Sequence, residues 1–258
     1  MESKQHYTVE DLLRIMHRLR RECPWDAKQT HESLRQFLLE ETYEVLETID
    51  QKQWHKLAEE LGDLLLQIVF HSEIAAEKGR FTFDDVVQSI SQKLIARHPH
   101  VFGAKDLNNA SQVQENWEHT KVQNEGRPSL LSGVPMAAPA LLQAQRLQEK
   151  AATVGFDWPE IEPVIDKVME ELQELKEAIK NQNQQEKEDE LGDVLFALVN
   201  LGRFLNVTAE DALRKTNQKF LRRFQHIEEQ YGGDPKAMKQ ATLEELDQHW
   251  EQAKKNEK

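Results

Sequence analysis

A chain of 258 residues has room for one large domain or two small ones, and 38% apolar against 31% charged residues with few Gly or Pro argues for a soluble helical protein over a β-sandwich or a disordered chain. The net charge of −13 argues against binding long nucleic acid, whose phosphates need a basic face, but is compatible with a small polyphosphate bridged by a carboxylate-held divalent cation. No apolar run is long enough to cross a bilayer, the start MESKQHYTVEDLL lacks the layout of a signal peptide, and Cys23 is the only cysteine; a cytoplasmic protein with no membrane partner, no internal disulfide and no thiolate cluster is expected.

The first helical segment, LEETYEVLETI at 39–49, carries Glu41 and Glu44 three residues apart, on one side of a helix. A polar stretch, IDQKQWHK at 49–56, suits the turn of an antiparallel helical hairpin. The returning segment, AEELGDLLLQIVF at 58–70, repeats the device with Glu60 and Asp63, and Leu57, Leu61, Leu64, Leu65 and Ile68 predict one buried stripe. FTFDDVVQSISQKLIAR at 81–97 follows as a further helix, and Trp117-Glu118-x-x-Lys121 predicts a closing one.

The same series then recurs. MEELQELKEAI at 169–179, the polar KNQNQQEK at 180–187 and EDELGDVLFALVN at 188–200 place Glu171, Glu174, Glu190 and Asp193 each 130 residues after Glu41, Glu44, Glu60 and Asp63. VTAEDALRKTNQKFLRR at 207–223 matches 81–97 at an offset of 126, so four extra residues are expected in the turn near Glu77-Lys78-Gly79-Arg80. Trp250-Glu251-x-x-Lys254 echoes Trp117. A duplicated all-α protein is predicted, two tandem four-helix units over 1–125 and 126–258, with turn formers at 124–128 and 132–135 between them.

In each hairpin the two carboxylate pairs face one another. Four such groups repel unless a cation neutralises them, and oxygen ligands without His or Cys select Mg²⁺ or Mn²⁺. A di-iron bundle would need Glu-x-x-His, which neither Glu-Leu-Gly-Asp motif supplies; His71, His98 and His100 fall elsewhere. Asp193 lies in a segment, 191–201, apolar enough to be mostly buried, where a lone carboxylate would be costly. Gly192 in mid-helix signals close approach of something or tight helix packing.

These motifs, with Gln-Lys-x-x-x-Arg, Cys23-Pro-Trp-Asp26, His98-Pro-His-Val-Phe102, Val134-Pro-x-x-x-Pro-Ala140 and Lys150-Ala-Ala-x-Val-Gly-Phe-Asp-Trp158, together resemble the full-length, two-domain MazG family over almost the whole chain. The resemblance implies an all-α, dimeric, Mg²⁺-dependent enzyme that hydrolyses nucleoside triphosphates to monophosphate and pyrophosphate. It also implies that the second domain is catalytic, with Glu171, Glu174, Glu190 and Asp193 as metal ligands. Lys167, Lys219, Arg222 and Arg223 become candidates for the phosphates, and Trp250 for stacking on a base or for packing in the core. At the repeat offsets Lys167 is replaced by Phe37 and Arg222 by Ala96, so the first copy keeps a candidate second metal site (Glu41, Glu44, Glu60, Asp63) with a degenerate cation set. That copy is expected to be weak, regulatory or dimer-forming. The competing functions are a non-catalytic helical nucleotide-binding or interaction module and a pyrophosphohydrolase confined to dUTP or a related nucleotide.

Overall fold

The computed structural model describes residues 6–103 and 129–257, and among these every regular element is helical. The chain divides into two compact units, Met1–Trp117 and Glu118–Lys258. The sequence-expected junction at 125/126 and the Trp117 motif lie outside the described residues.

The first unit contains α1 (Val9–Glu22), α2 (Arg35–Asp50), α3 (Trp54–Glu77), α4 (Phe83–Arg97) and a single turn, α5 (Pro99–Phe102). Capping boxes start α1 and α4: Thr8 and Thr82 each accept from the backbone of the Asp three residues on, whose carboxylate returns to the cap backbone. Helices α2 and α3 form the hairpin, and α1 and α4 pack on α3. Met16, Leu34, Val69, Phe70 and Ile74 make the core, with Phe37, Leu65, Leu66 and Phe83 packed against it.

The second unit repeats the plan with α6 (Ala140–Ala152), α7 (Glu162–Asn181), α8 (Gln184–Phe204) and α9 (Ala209–Gln230), then adds α10 (Pro235–Gln240) and α11 (Leu243–Asn256). Again the hairpin, α7 with α8, is the dominant packing; α6 and α9 lie on α8, and α11 lies on α9. The two hairpin turns are built alike. Lys52 and Gln182, 130 residues apart, both take left-handed backbone, with φ of 55° and 56°.

Four expectations are corrected. The extra residues of the first copy do not simply enlarge a turn: α3 has 24 residues where α8 has 21, so most of the insertion lengthens the helix. Both helices then end on a left-handed residue, Gly79 and Asn206. The stripe on α3 is only partly buried, since Leu61 and Ile68 are exposed and the core face is instead Val69, Phe70 and Ile74. Residues 191–201 are not mostly buried either: Asp193 is exposed, as are Leu191, Leu195, Phe196 and Leu198, and only Val194, Ala197, Val199 and Asn200 are buried there. Hydropathy counts apolar residues, whereas a two-helix contact covers a single face. Gly192 sits on the uncovered side, and a Cβ built there meets nothing within 4 Å, so tight helix packing within the unit does not explain it.

Among the described residues no single helix is long and apolar enough to cross a membrane.

Candidate metal and nucleotide site

The hairpin of the second unit brings together the carboxylates that helical spacing selects. One oxygen from each of Glu171 and Glu174 on α7 and Glu190 on α8 lies within 4.8 Å of the others. Asp193 is not in that trio; one turn beyond Glu190, it borders the cavity beside it. In the first unit the corresponding trio is Glu41, Glu60 and Asp63, with Glu44 at its edge, where its charge acts on Glu41 and Glu60. Neither group includes a histidine. His71 instead stacks on His31, with their Nδ1 atoms 2.8 Å apart, and His98 leans on His100.

Both clusters carry the strain of crowded like charge. Loss of water around the Glu174 carboxyl raises its pKa, and a hydrogen bond with Glu171 and the charges of Glu171 and Glu190 raise it further. In the first unit burial raises Glu41, followed by the charges of Asp63, Glu44 and Glu60, and Glu60 is raised in the same way. A divalent cation would remove this repulsion. Three close oxygens and no softer donor suit Mg²⁺, which binds hard oxygen ligands at about 2.1 Å, and they suit Mn²⁺ as well.

The two clusters differ in what stands next to them. Lys167, one turn before Glu171, reaches Glu170 Oε1 at 2.8 Å and Glu171 Oε1 at 2.7 Å, and these carboxylates hold its ammonium firmly protonated. Beyond Lys167, Glu171 and Asp193 opens a cavity of about 410 Å³. Its apolar wall comes from Leu147 and Ala151 of α6, Val164 of α7 and Phe196 and Ala197 of α8, and Phe156 and Trp158 stand at its edge.

The polar groups of this wall are fixed by their own contacts. Arg203 grips Asp157 with both terminal nitrogens and donates through Nε and Nη2 to Asn200 Oδ1, at 3.1 and 2.8 Å. This ties the Gly155-Phe-Asp-Trp158 loop to α8, with Gly155 at φ +82° making the turn. Gln148 Nε2 donates to the Phe196 carbonyl at 2.9 Å, while its Oε1 is buried without a partner among the described residues. An unmatched buried acceptor costs on the order of 1–3 kcal/mol.

The remaining sequence-selected residues form a separate group on α9 and α11. Arg222 and Arg223 pair with Glu257 at 3.5 and 2.6 Å, Arg223 lies over the Trp250 ring, and Phe220 packs tilted against the same ring. Lys219 is exposed on α9. None of Lys219, Arg222, Arg223 or Trp250 lines the cavity, so only Lys167 of the expected cations is joined to the acid trio. Gln148, Asn200 and Arg203 escaped the sequence pattern because polar residues on amphipathic helices read as solvated, and Asp157 stood in the motif at 150–158 without a role. The signal was in the repeat: Phe70 stands where Asn200 does, at the offset of 130.

A family model described as the MazG nucleotide pyrophosphohydrolase domain matches the chain twice, over residues 29–102 and 160–228. Each stretch contains one acid quartet, and Trp250 falls outside both. The chain is similar to the nucleoside triphosphate pyrophosphohydrolase/pyrophosphatase MazG of Thermotoga maritima, 47% identical over 249 residues that cover 95% of each chain. It is also similar to the nucleoside triphosphate pyrophosphohydrolase of Escherichia coli K12, 43% identical over 257 residues, 96% of this chain and 98% of the relative. The protein of the same description from Mycobacterium tuberculosis is 38% identical over 157 residues, 60% of this chain and 48% of that one.

Proposed function

This chain belongs to the MazG nucleotide pyrophosphohydrolase family, and we propose that its second unit hydrolyses nucleoside triphosphates to monophosphate and pyrophosphate in a Mg²⁺-dependent reaction. The observation that carries this reading is the acid trio Glu171, Glu174 and Glu190 at the mouth of a cavity, with the Lys167 ammonium bridged to it.

Glu171, Glu174, Glu190 and Asp193 would hold the cation; Mn²⁺ satisfies the same donors. When bound, it supplies charge neutralisation of the phosphate oxygens and a lowered pKa for coordinated water. The Lys167 ammonium, oriented by Glu170 and Glu171, donates to a phosphate oxygen as negative charge shifts toward the leaving group. A carboxylate of the cluster accepts the proton of the attacking water. The new bond forms from that water to the α-phosphorus, and the bond to the α,β-bridging oxygen breaks, so that pyrophosphate leaves with the electron pair. Lys219, Arg222 and Arg223 remain candidates for the outer phosphates; swinging onto substrate would require the two arginines to leave Glu257, an exposed contact of low cost.

The first unit is proposed as weak or regulatory, with Glu41, Glu44, Glu60 and Asp63 as a second metal site lacking the neighbouring lysine. A homodimer belongs to the same reading, supported by exposed apolar residues on both hairpins, among them Leu39, Tyr43, Met169, Leu191 and Leu195. So does a cytoplasmic address, where nucleoside triphosphates are made and used.

The test is pyrophosphate release from a panel of ribo- and deoxyribonucleotides in ¹⁸O-water, with Mg²⁺ or with chelator. Label in the monophosphate supports attack at the α-phosphorus. Label in pyrophosphate, or turnover that persists in chelator, overturns the mechanism, and turnover of dUTP alone would select the narrow-specificity alternative. Folded protein with no turnover of any nucleotide would select the non-catalytic module.

A further inference from the structure

Cys23-Pro-Trp-Asp26 opens a segment, 23–34, that carries the chain from α1 to α2 and has no part in the chemistry above. Local bonds shape it: the Ala27, Lys28 and Gln29 amides donate to the Cys23, Trp25 and Asp26 carbonyls, Thr30 and Ser33 exchange backbone and hydroxyl bonds, and the Leu34 amide donates to the Thr30 carbonyl at 3.2 Å. The helix that follows starts without a side-chain cap. Polar contacts hold both ends of the segment to the body of the unit. At its start Arg20 of α1, paired with Glu77 of α3 at 2.6 Å, donates to the Asp26 and Gln29 carbonyls. At its end His31 meets His71 of α3, with 2.8 Å between the two Nδ1 atoms.

A nitrogen-to-nitrogen contact of that length needs one N–H and one bare nitrogen. Two neutral rings satisfy it, and so does one neutral ring with one imidazolium. Two imidazoliums do not, because N–H then faces N–H with like charges in contact. His71 resists its proton through burial first and the His31 charge second, and both hold it below the ordinary histidine value. Its Nε2 is buried without a partner among the described residues, so a charged ring there has nothing to take its second N–H. The charged groups on the surrounding elements are engaged with one another: His17 and Arg20 of α1 with Glu73 and Glu77 of α3, each at 2.6 Å, Asp85 of α4 with Thr82, and the acids of α2 with Glu60 and Asp63. Glu32 lies beside His31 and feels its charge from an exposed position. At the offset of 130 the second unit has Ile161 and Leu201, which do not titrate.

We propose that His31 and His71 form a proton-sensitive clasp in the first unit, closing the segment 23–34 on α3 while one of the two Nδ1 atoms is bare and opening when both carry a proton. Opening frees the start of α2, the helix that carries Glu41 and Glu44, so acid pH loosens the first acid cluster and leaves the second as it is. The sign follows from linkage. Between the lowered value of His71 in the closed state and the ordinary histidine value, the released segment binds more protons than the closed one, so closure weakens as pH falls through that window.

Hydrogen exchange of the full chain, read by mass spectrometry at pH 7 and pH 5 and corrected for the intrinsic pH dependence of exchange, tests the clasp. In wild type the amides of 27–34 should lose protection roughly tenfold or more between the two, since linkage to one proton changes an opening equilibrium by up to about tenfold per pH unit, whereas those of 157–164, the corresponding stretch of the second unit, should change less than about threefold. His31→Ile with His71→Leu installs the second unit's residues and should abolish the acid loss. His31→Gln, whose amide can donate to or accept from His71 in either charge state, should abolish it as well, and it carries the test if the double variant fails to fold. His17→Gln should keep the loss. Wild-type protection that does not fall, an equal fall over 157–164, an acid loss that survives in His31→Gln, or its disappearance in His17→Gln overturns the proposal.

Discussion

Phe37 and Lys167 occupy equivalent positions in the two halves of this molecule, as do Phe70 and Asn200, and at these two positions the surroundings of the acid clusters differ. In the first unit Phe37 packs against a core of Met16, Leu34, Val69, Phe70 and Ile74. In the second, Lys167 turns to Glu170 and Glu171, Asn200 is tied to Arg203, and a cavity of about 410 Å³ remains beside the acids. The acid quartets are shared; the surroundings are not. Under the proposed function, the retained carboxylates preserve the means of holding a cation, while Phe37 and Phe70 stand where the second unit has Lys167 and Asn200.

The largest effect should come from the shared feature. Glu171→Gln with Glu174→Gln removes two ligands from the trio, and a drop of about 10³-fold or more in kcat for pyrophosphate release is expected, the scale of losing the main charge-stabilising group of a phosphoryl-transfer site. Glu41→Gln with Glu44→Gln should change kcat less than about twofold. Steady-state assays of the two double variants check this, and the reverse pattern would transfer catalysis to the first unit.

Next in size is a stability difference between the halves. Phe70 is 3% exposed, so Phe70→Ala should destabilise the first unit by about 3–5 kcal/mol. Asn200→Ala removes no large apolar volume and should cost about 1 kcal/mol. Thermal or urea unfolding reads both, and equal losses would mean that the second cavity is packed as tightly as the first core.

Grafting the first unit's residue into the second comes third. Lys167→Phe deletes a charge-assisted donor worth about 1.5–3 kcal/mol, so kcat/KM should fall about 10- to 100-fold with the metal ligands intact. A variant with unchanged kcat/KM would place the working cations on α9 alone, among Lys219, Arg222 and Arg223.

Much of this contrast was legible in the chain. The four acids recur at one offset with no slip, and the polar turns between them recur as well, because a helical hairpin that carries a cluster tolerates no change of register. The loss of Lys167 and Arg222 in the first copy was equally plain. Burial was less legible: Leu191, Leu195 and Leu198 look like core by hydropathy yet lie on the face that no helix of their own unit covers. Gly192 looked like a packing glycine and borders open space. Gln148 and Asn200 could not be told from solvated polar residues until α6, α7 and α8 were assembled around them.

The smallest effect concerns the charge that both units share. The Glu174 pKa is raised in the folded protein, by loss of surrounding water and then by Glu171 and Glu190, so the folded state holds its proton to a higher pH than the unfolded chain does. Between the unfolded and the folded pKa the native state binds more protons, and stability must fall as pH rises through that window, the penalty standing in full above it. Without metal, Glu174→Gln should therefore be slightly more stable than wild type at neutral pH, an advantage that fades as pH drops into the carboxylate range. Mg²⁺ should invert the order, because only the intact trio gains binding free energy from the cation. Glu41 is raised by the same causes, burial first and its acidic neighbours second, so Glu41→Gln should behave in parallel. Melting curves with and without Mg²⁺ across pH 4–8 test the pair. Parallel behaviour means that both hairpins hold a cation and part company only at Lys167 and the cavity; an Mg²⁺ effect lost solely in Glu174→Gln means that the first unit's acids are a remnant of duplication.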